Sequence, residues 1–325
     1  MARSLRSFMI AFLFSLVAFA IAAAIIVPFL DTLVVDVFTG GKVIENTEEK
    51  NNEKTDEKNN ESEGDKPADD GQGLTGKTFT VLFIIPDENN KYADTLLLMK
   101  VDRERKSFMF SALPPRLKVS VSGSSPSGGE PITLASIYKT HDCKYLASQI
   151  SSVTGLNVNY YYCITSANFK KLVDSFGGVE VNVPYDMEIT DPETKEVLQS
   201  LSAGKQMLDG NKALIYTSFN DYVNGDEGRR TVQLNFLKLF LNSILTENNF
   251  SDIDGFYAKL FTNIKVNTNI NADIFKNNAD LLFKFSNYRI APTVVFPTDE
   301  SEIIGETEYY SYVIADALEA YKEYK

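Results

Sequence analysis

An uninterrupted apolar segment near the N-terminus constrains this chain more than any other feature. Residues 8–30 (FMIAFLFSLVAFAIAAAIIVPFL) contain no charged side chain. As a helix they would extend about 34 Å at about 1.5 Å per residue, enough to cross a hydrocarbon layer of about 30 Å. Arg3 and Arg6 precede the segment, and acidic residues follow it. Because basic residues favour the cytoplasmic side, the sequence predicts a transmembrane helix with residues 1–7 in the cytoplasm and the rest of the chain outside the membrane.

A cleaved signal peptide is the alternative interpretation of this segment. Small residues such as Ala18 and Ala20 are compatible with a cleavage site. Apolar residues continue to Leu30, beyond the usual length of the apolar part of a signal peptide, which favours a retained anchor. Both interpretations export the remainder of the chain.

The segment 31–76 separates the anchor from the rest of the chain. Between Glu45 and Asp70 it carries 11 acidic side chains and four lysines. These account for −7 of the formal net charge of −12, so the remainder is only mildly acidic. A segment with so few apolar residues cannot offset the entropy lost on ordering, and we predict a flexible acidic linker.

The composition excludes several kinds of site. Beyond the N-terminus no run of Lys and Arg with interleaved aromatic residues occurs, so we expect no nucleic-acid partner. One histidine, His141, and two cysteines are too few for a Cys/His metal site or a convincing Ser-His-Asp triad. Catalysis would depend on carboxylates, Arg, Lys, hydroxyl groups or an oxygen-ligated metal.

Residues 77–325 alternate between strand-like and helix-like patterns. Short apolar, β-branched runs predict strands at 78–85, 95–101 and 107–113, with an exposed loop at 120–129. Apolar side chains then recur at helical spacing in several segments. Helices are predicted at about 145–153, 169–176 and 229–245, and strands at 158–165 and 179–183. This order predicts an α/β domain with a mixed central β-sheet and helices on both faces.

Three segments carry a more specific signal. They are residues 168–189 (NFKKLVDSFGGVEVNVPYDMEI), 203–219 (AGKQMLDGNKALIYTSF) and 225–245 (GDEGRRTVQLNFLKLFLNSIL). Together with the order of anchor, linker and domain, they resemble the LytR-CpsA-Psr family of cell-envelope proteins, best over 90–245. The resemblance implies binding of a polyprenyl-pyrophosphate-linked glycan with Mg²⁺, and transfer of the glycan phosphate to peptidoglycan or a related acceptor. It also implies an apolar pocket for the lipid between the sheet and a covering helix.

The resemblance also implies site residues. The family's Arg-x-Asp-Thr motif matches residues 92–95, which retain the carboxylate of Asp94. The Gly-Asp-x-Gly-Arg motif is intact at 225–229. We therefore expect Asp94, Asp226 and Arg229 to be catalytic, with the two aspartates also binding Mg²⁺.

Arginines are missing from several positions of the family pattern, which here hold Tyr92, Ser218, Asn220 and Val232. Arg116 follows the third strand with a shift of one residue, and Arg230 is adjacent to Arg229. These three arginines are the expected substrate-binding residues. The losses leave a second function open: a catalytically degenerate domain that binds a lipid, a glycan or a partner protein as a scaffold or sensor.

Each expected catalytic residue has a structural alternative. Asp94, at a strand start, and Asp226, at a helix N-terminus, could each cap backbone N–H groups. Arg229 could simply be solvated. We expect Arg229 in the first turn of its helix, however, where the helix dipole disfavours a cation, and this argues against a purely structural role.

The two cysteines are expected to pair. Export places Cys143 and Cys163 in an oxidising compartment. A helix from about 143 and a strand returning from about 158 would span about 15 and 16 Å, so the two sulfurs could meet at one end. The sequence therefore predicts a disulfide between them.

Overall fold

The computed structural model describes most of residues 77–325, all within one compact unit. The exceptions are residues 88, 121–130, 191–193, 195 and 306. The predicted anchor at 8–30, the linker at 31–76 and nearly all of the predicted loop at 120–129 lie outside the described residues. Within the described part of the chain, no helix is long and apolar enough to span a membrane.

Three consecutive antiparallel strands begin the domain. β1 (Thr78–Pro86) pairs with β2 (Ala93–Asp102), which pairs with β3 (Ser107–Ala112). Nearly all of their side chains are buried or half-buried, as expected of strands covered on both faces. The predicted meander is confirmed.

Further strands join both edges of this meander. β4 (Tyr160–Ile164) lies parallel to β1, and β9 (Val266–Thr268) lies antiparallel to β4. At the other edge, β10 (Arg289–Ile290) and β11 (Val294–Val295) both pair with β3 in parallel. The seven-stranded sheet has the order β10-β3-β2-β1-β4-β9, with β11 also on β3, so the predicted mixed central sheet is confirmed.

Three two-stranded sheets among the described residues lie outside the main sheet. Their strands are antiparallel, and the first two pairs lie within the stretch 90–245 that resembles the family best. They are formed by β5 (Val179–Val183) with β8 (Gly204–Leu208), β6 (Met187–Thr190) with β7 (Val197–Leu201), and β12 (Ser301–Ile304) with β13 (Thr307–Tyr310).

Helices cover both faces of the sheet, and each face has its own apolar core. In chain order they are α1 (Leu134–Thr140), α2 (Cys143–Thr154), α3 (Ser166–Ser175), α4 (Gly210–Ser218), α5 (Gly225–Ile244), α6 (Glu247–Phe250), α7 (Ile253–Tyr257), α8 (Ala272–Lys276), α9 (Ala279–Phe283) and α10 (Ile314–Ala320). α1, α2 and α10 pack on one face, whereas α3, α4 and α5 pack on the other. A π-helical turn (Ala258–Thr262) and two 3₁₀ turns (Phe285–Asn287 and Lys322–Tyr324) complete the described structure.

Local sequence signals explain where these helices begin and end. The side chain of Asp142 accepts the Tyr145 N–H and caps α2, which stops at Gly155 in the left-handed conformation (φ 68°). Helices are confirmed at all three predicted positions. The predicted helix at 229–245 begins four residues earlier, at Gly225.

Candidate functional site

The carboxylate of Asp94 and the guanidinium of Arg229 form the centre of the candidate site. Asp94 is the second residue of β2, at an irregularity in the pairing with β1 between Ile85 and Pro86. Arg229 lies on α5, and its Nη1 donates to both carboxylate oxygens at 3.0 Å. The Arg229 side chain is 9% exposed and that of Asp94 is 35% exposed. The pair is therefore accessible to a ligand mainly from the carboxylate side.

Asp226 adds a second carboxylate to the same guanidinium. Its Oδ1 lies 3.6 Å from Nη2 of Arg229, and its Oδ2 lies 3.1 Å from Nε of Arg230. Although Oδ2 is close to Arg230, it is buried and makes no aligned hydrogen bond. The four side chains form a charge-balanced cluster in which one carboxylate oxygen retains capacity for a further ligand.

The start of α5 positions this charge cluster, defined as Asp94, Asp226, Arg229 and Arg230. Gly225 has a φ of +55°, a conformation that glycine adopts without strain, and it opens the helix. Asp226 therefore lies in the first turn, where a carboxylate is favoured by the helix dipole. The expectation that Arg229 lies in the first turn was wrong, because the helix begins earlier, so the dipole argument does not apply to it.

Arg116 lies next to β13. Its side chain is exposed, and its carbonyl oxygen accepts the Tyr310 N–H at 3.1 Å. Burial raises the pKa of Tyr310, and a hydrogen bond to Glu308 and the charge of Asp226 raise it further. Tyr310 therefore connects the backbone of Arg116 to the charge cluster. Among the ion pairs of the described residues, none includes the Arg116 guanidinium, which is consistent with a role in binding an anion.

Other side chains occupy the positions at which the family pattern has arginine. Ser218 donates its hydroxyl to the Leu214 carbonyl at 2.7 Å, and Asn220 is exposed. Tyr92 accepts a hydrogen bond from the Lys139 ammonium at 3.2 Å, and this ammonium lies 5.2 Å from the ring centroid. A cation thus remains near position 92, supplied by α1.

The predicted disulfide is not formed. Cys143, at the start of α2, and Cys163, in β4, are both buried free thiols. The two side chains are hydrogen-bonded to each other, which raises the pKa of Cys143 and lowers that of Cys163. Cys163 also contacts the Tyr138 hydroxyl at 3.8 Å, and Asn267 donates to Cys143 at 3.4 Å. The sequence placed the cysteines correctly beside each other, but the thiols are held in a hydrogen-bonded contact and not in a covalent bond.

An apolar cavity of about 180 Å³ lies between the sheet and α5, next to the charge cluster. Thr95 and Gln233 line it, and they are close in sequence to Asp94 and Arg229 respectively. The predicted apolar pocket between the sheet and a covering helix is confirmed. Most of its lining consists of large apolar and aromatic side chains, including Phe79, Val81, Phe83, Leu97, Met99, Tyr162, Phe236, Phe240, Leu241 and Ile244.

Only one mode of Mg²⁺ binding fits the residues of the charge cluster. Within the described residues, no group of three or more His, Cys, Asp or Glu side chains could hold a metal. Mg²⁺ commonly takes one or two protein carboxylates and completes its shell with water and phosphate oxygens. Asp94 and Asp226 flank one guanidinium, and the buried Oδ2 of Asp226 lacks an aligned donor. These two residues suit an ion that arrives with, or is completed by, a phosphate ligand.

The fold has counterparts among solved structures. The crystal structure of TagV from B. subtilis matches with a TM-score of 0.63 and 19% sequence identity, covering 77% of this chain and 96% of that chain. At this level of identity the likeness concerns the fold alone. It places the chain in the class of mixed α/β domains that TagV represents.

Sequence comparison identifies the family. The LytR_cpsA_psr family model matches residues 39–324, so the chain belongs to the LytR-CpsA-Psr family. The polyisoprenyl-teichoic acid–peptidoglycan teichoic acid transferase TagV of Bacillus subtilis (strain 168) is 23% identical over 200 residues, which are 60% of this chain and 51% of TagV. Biofilm regulatory protein A of Streptococcus mutans is 24% identical over 198 residues, 60% of this chain and 48% of that protein. The chain therefore spans about half the length of these curated relatives.

Proposed function

We propose that this chain is a membrane-anchored protein of cell-envelope biogenesis that binds a polyprenyl-pyrophosphate-linked glycan outside the membrane and transfers the glycan phosphate to peptidoglycan. The observation that carries the proposal is the charge cluster at one end of an apolar cavity. A lipid-linked pyrophosphate has the same two parts, a long hydrocarbon tail and an anionic head. Residues 8–30 would supply the anchor, with residues 1–7 in the cytoplasm.

The charge cluster suits the pyrophosphate head. Arginine binds phosphate oxygens through several N–H groups in a fixed geometry, and the cluster holds two guanidinium groups, those of Arg229 and Arg230. Arg116 is exposed, and we propose that its guanidinium also binds the head. Lys139, held on Tyr92, adds a further cation on the β2 side.

Mg²⁺ is the proposed cofactor, held by Asp94 and Asp226. When bound, it would neutralise the pyrophosphate and so make the polyprenyl phosphate a better leaving group. The positive charge of the ion would also favour binding of the anionic head to the cluster. Without the ion the cluster offers no net positive charge to the anionic head, because each carboxylate already balances an arginine.

The chain's own residues fit an in-line phosphoryl transfer. An acceptor hydroxyl of peptidoglycan attacks the phosphorus that carries the glycan, a new P–O bond forms, and the bond to the polyprenyl phosphate breaks. Asp94, the more exposed carboxylate, accepts the proton of the hydroxyl. Arg229 stabilises the charge on the phosphoryl oxygens.

A non-catalytic binding module is the second candidate function. The observation that favours it is the internal balance of the cluster, because both arginines of α5 are paired with carboxylates. Ser218 and Asn220 offer no charge where the family pattern has arginine. Such a site would hold the lipid-linked glycan without transferring it.

One experiment on the full-length protein in detergent distinguishes the two candidate functions. Binding of a polyprenyl-pyrophosphate-linked glycan and its transfer to peptidoglycan are measured for the wild type, Arg229→Met and Lys205→Ala. Removing Arg229 deletes charge-assisted hydrogen bonds of about 1.5–3 kcal/mol each, so affinity should fall about tenfold or more. Lys205 forms an exposed ion pair with Glu180 and does not belong to the charge cluster, so its variant is the matched control.

The outcomes are distinct. Binding with Mg²⁺-dependent transfer supports the transferase. Binding without transfer supports the binding module. No binding by the wild type, or equal binding by Arg229→Met and Lys205→Ala, would contradict both.

A further inference from the structure

The apolar cavity extends along the sheet away from the charge cluster. Thr95 lines one end, next to Asp94, whereas Phe79 lines the other and pairs with Val101. From Thr95 to Val101 the strand advances about 20 Å at about 3.4 Å per residue. This length suits an extended hydrocarbon chain whose polar head lies at the charge cluster.

The residues of helix α5 that line the cavity give a similar estimate of its length. Gln233, near the charge cluster, and Leu245, at the end of the helix, both line the cavity. The chain between them rises about 18 Å at about 1.5 Å per residue. The cavity therefore has a proximal end at the charge cluster and a distal end near Phe79 and Leu245.

A polar pair closes the distal end. Asn278 lines the cavity and is only 3% exposed. Arg103, in the turn after β2, donates from Nη2 to Oδ1 of Asn278. The guanidinium carbon of Arg103 lies 5.9 Å from the ring centroid of Phe79. A positive charge thus lies directly behind the last aromatic side chain of the cavity.

The pair of Arg103 and Asn278 leaves one buried hydrogen-bond donor without an acceptor. Nε of Arg103 is buried and has no hydrogen-bond partner. A buried N–H without an acceptor is costly, and the cost increases if hydrocarbon replaces the neighbouring Asn278 amide. A lipid tail that reaches Phe79 cannot continue without separating Arg103 from Asn278.

We propose that Arg103 and Asn278 form a stop that sets the length of lipid tail the cavity accepts. The inference rests on the proposed function, since it concerns the lipid bound at the same site. Tails gain affinity from each unit added until they reach the stop. The part of a longer tail beyond that point stays outside the cavity and contributes nothing further.

The test is a competition among lipids of different length on the full-length protein. The protein in detergent is mixed with equimolar farnesyl, geranylgeranyl and undecaprenyl pyrophosphate, and native mass spectrometry measures the ratio of bound species. Arg103→Ala should raise the ratio of long to short lipid at least about fourfold over the wild type, the gain from one more buried methylene group. Comparing variants within one mixture cancels the different partitioning of the lipids into detergent.

The chain offers a matched control and a second variant. Arg105, two residues further on, is exposed and pairs with Asp102, so Arg105→Ala should keep the wild-type ratio. Asn278→Leu removes the acceptor but keeps the volume, and it should shift the ratio in the same direction as Arg103→Ala. Circular dichroism identifies any variant that does not fold, in which case the other variant decides.

The failures are distinguishable. If every variant binds all three lipids in the wild-type ratio, the stop is wrong while the proposed function stands. If Arg105→Ala changes the ratio of long to short lipid as much as Arg103→Ala does, the stop is also wrong, because the loss of positive charge alone would then explain the change. If the wild type binds none of the lipids, the proposed function fails and the stop fails with it.

Discussion

At the scale of single residues, Arg229 should contribute more to stability than either carboxylate it contacts. It lies 3.0 Å from Asp94 and 3.6 Å from Asp226, with its side chain 9% exposed. Arg229→Met leaves two carboxylates without their common cation, and we expect the free energy of unfolding to fall by about 3 kcal/mol. Asp94→Asn removes one partially solvated charge and should cost about 1 kcal/mol.

Urea unfolding of a fragment of residues 77–325, followed by circular dichroism, measures both changes. A larger loss for Asp94→Asn than for Arg229→Met would contradict the central position assigned to the arginine. Lys205→Ala, which removes only an exposed ion pair, should change stability by well under about 1 kcal/mol.

Sequence motifs were sufficient to select the charge cluster but not the residues around it. Asp94 and Arg229 belong to two short motifs, so each was identifiable, and the structure brings them together across 135 residues. Their catalytic roles stay a prediction. Arg103 and Asn278 carry no motif and are separated by 175 residues, so only the folded chain shows their contact.

At the scale of elements, the packing of α3 on α4 depends on one glycine. A Cβ on Gly210 would overlap the backbone carbonyl of Lys170 in α3, which cannot move as a flexible side chain can. Gly210→Ala should therefore lower the free energy of unfolding by about 1–3 kcal/mol, although alanine favours helix. Asn211→Ala, at the next and exposed position, should be neutral or slightly stabilising. Thermal unfolding of both variants measures this, and equal stability would show that the helices separate without cost.

Where the apolar side chains recur with a clear period, the sequence predicted whether a segment is a helix or a strand. It did not predict which strands pair with each other in the sheet. The predicted strands at 78–85 and 179–183 and the helix before Gly155 correspond closely to β1, β5 and α2. The start of α5 was misplaced because its first turn, at Gly225, has no apolar residue to mark it. The parallel pairing of β4 with β1 depends on contacts distant in sequence, which local patterns do not encode.

At the scale of the whole molecule, the order of strands and helices was enough to predict the α/β class. A sheet that helices cover on both faces needs apolar side chains on each of its faces. Odd residues of β1, such as Phe79 and Val81, enter the core under α5, and even residues, such as Leu82 and Ile84, enter the core under α2. Alternation of this kind is local, so sequence reveals it. The cavity within one of these cores is not local, because it depends on how far α5 lies from the sheet.

The two cores also bury many phenols, which links the stability of the molecule to pH. Among the described residues burial raises the pKa of nine tyrosines, including Tyr162, Tyr216, Tyr222 and Tyr321 in the two cores. The pKa of Tyr216 rises to about 12. In the unfolded chain a tyrosine has a pKa of about 10. Lys100 acts in the opposite direction, because burial lowers its pKa.

We expect the domain to lose stability steeply above about pH 10. Between the unfolded and folded pKa values the unfolded chain has released phenol protons that the folded chain retains, so the unfolded state binds fewer protons and the free energy of unfolding falls as pH rises. These tyrosines should outweigh Lys100 and Cys163, whose pKa values are lowered in the folded chain. Urea midpoints measured from about pH 8 to about pH 11 should therefore decrease, and Tyr321→Phe should decrease less steeply, since it removes one of the phenols. A midpoint that is constant over this range, or an unchanged slope in Tyr321→Phe, would show that the buried phenols do not control alkaline unfolding.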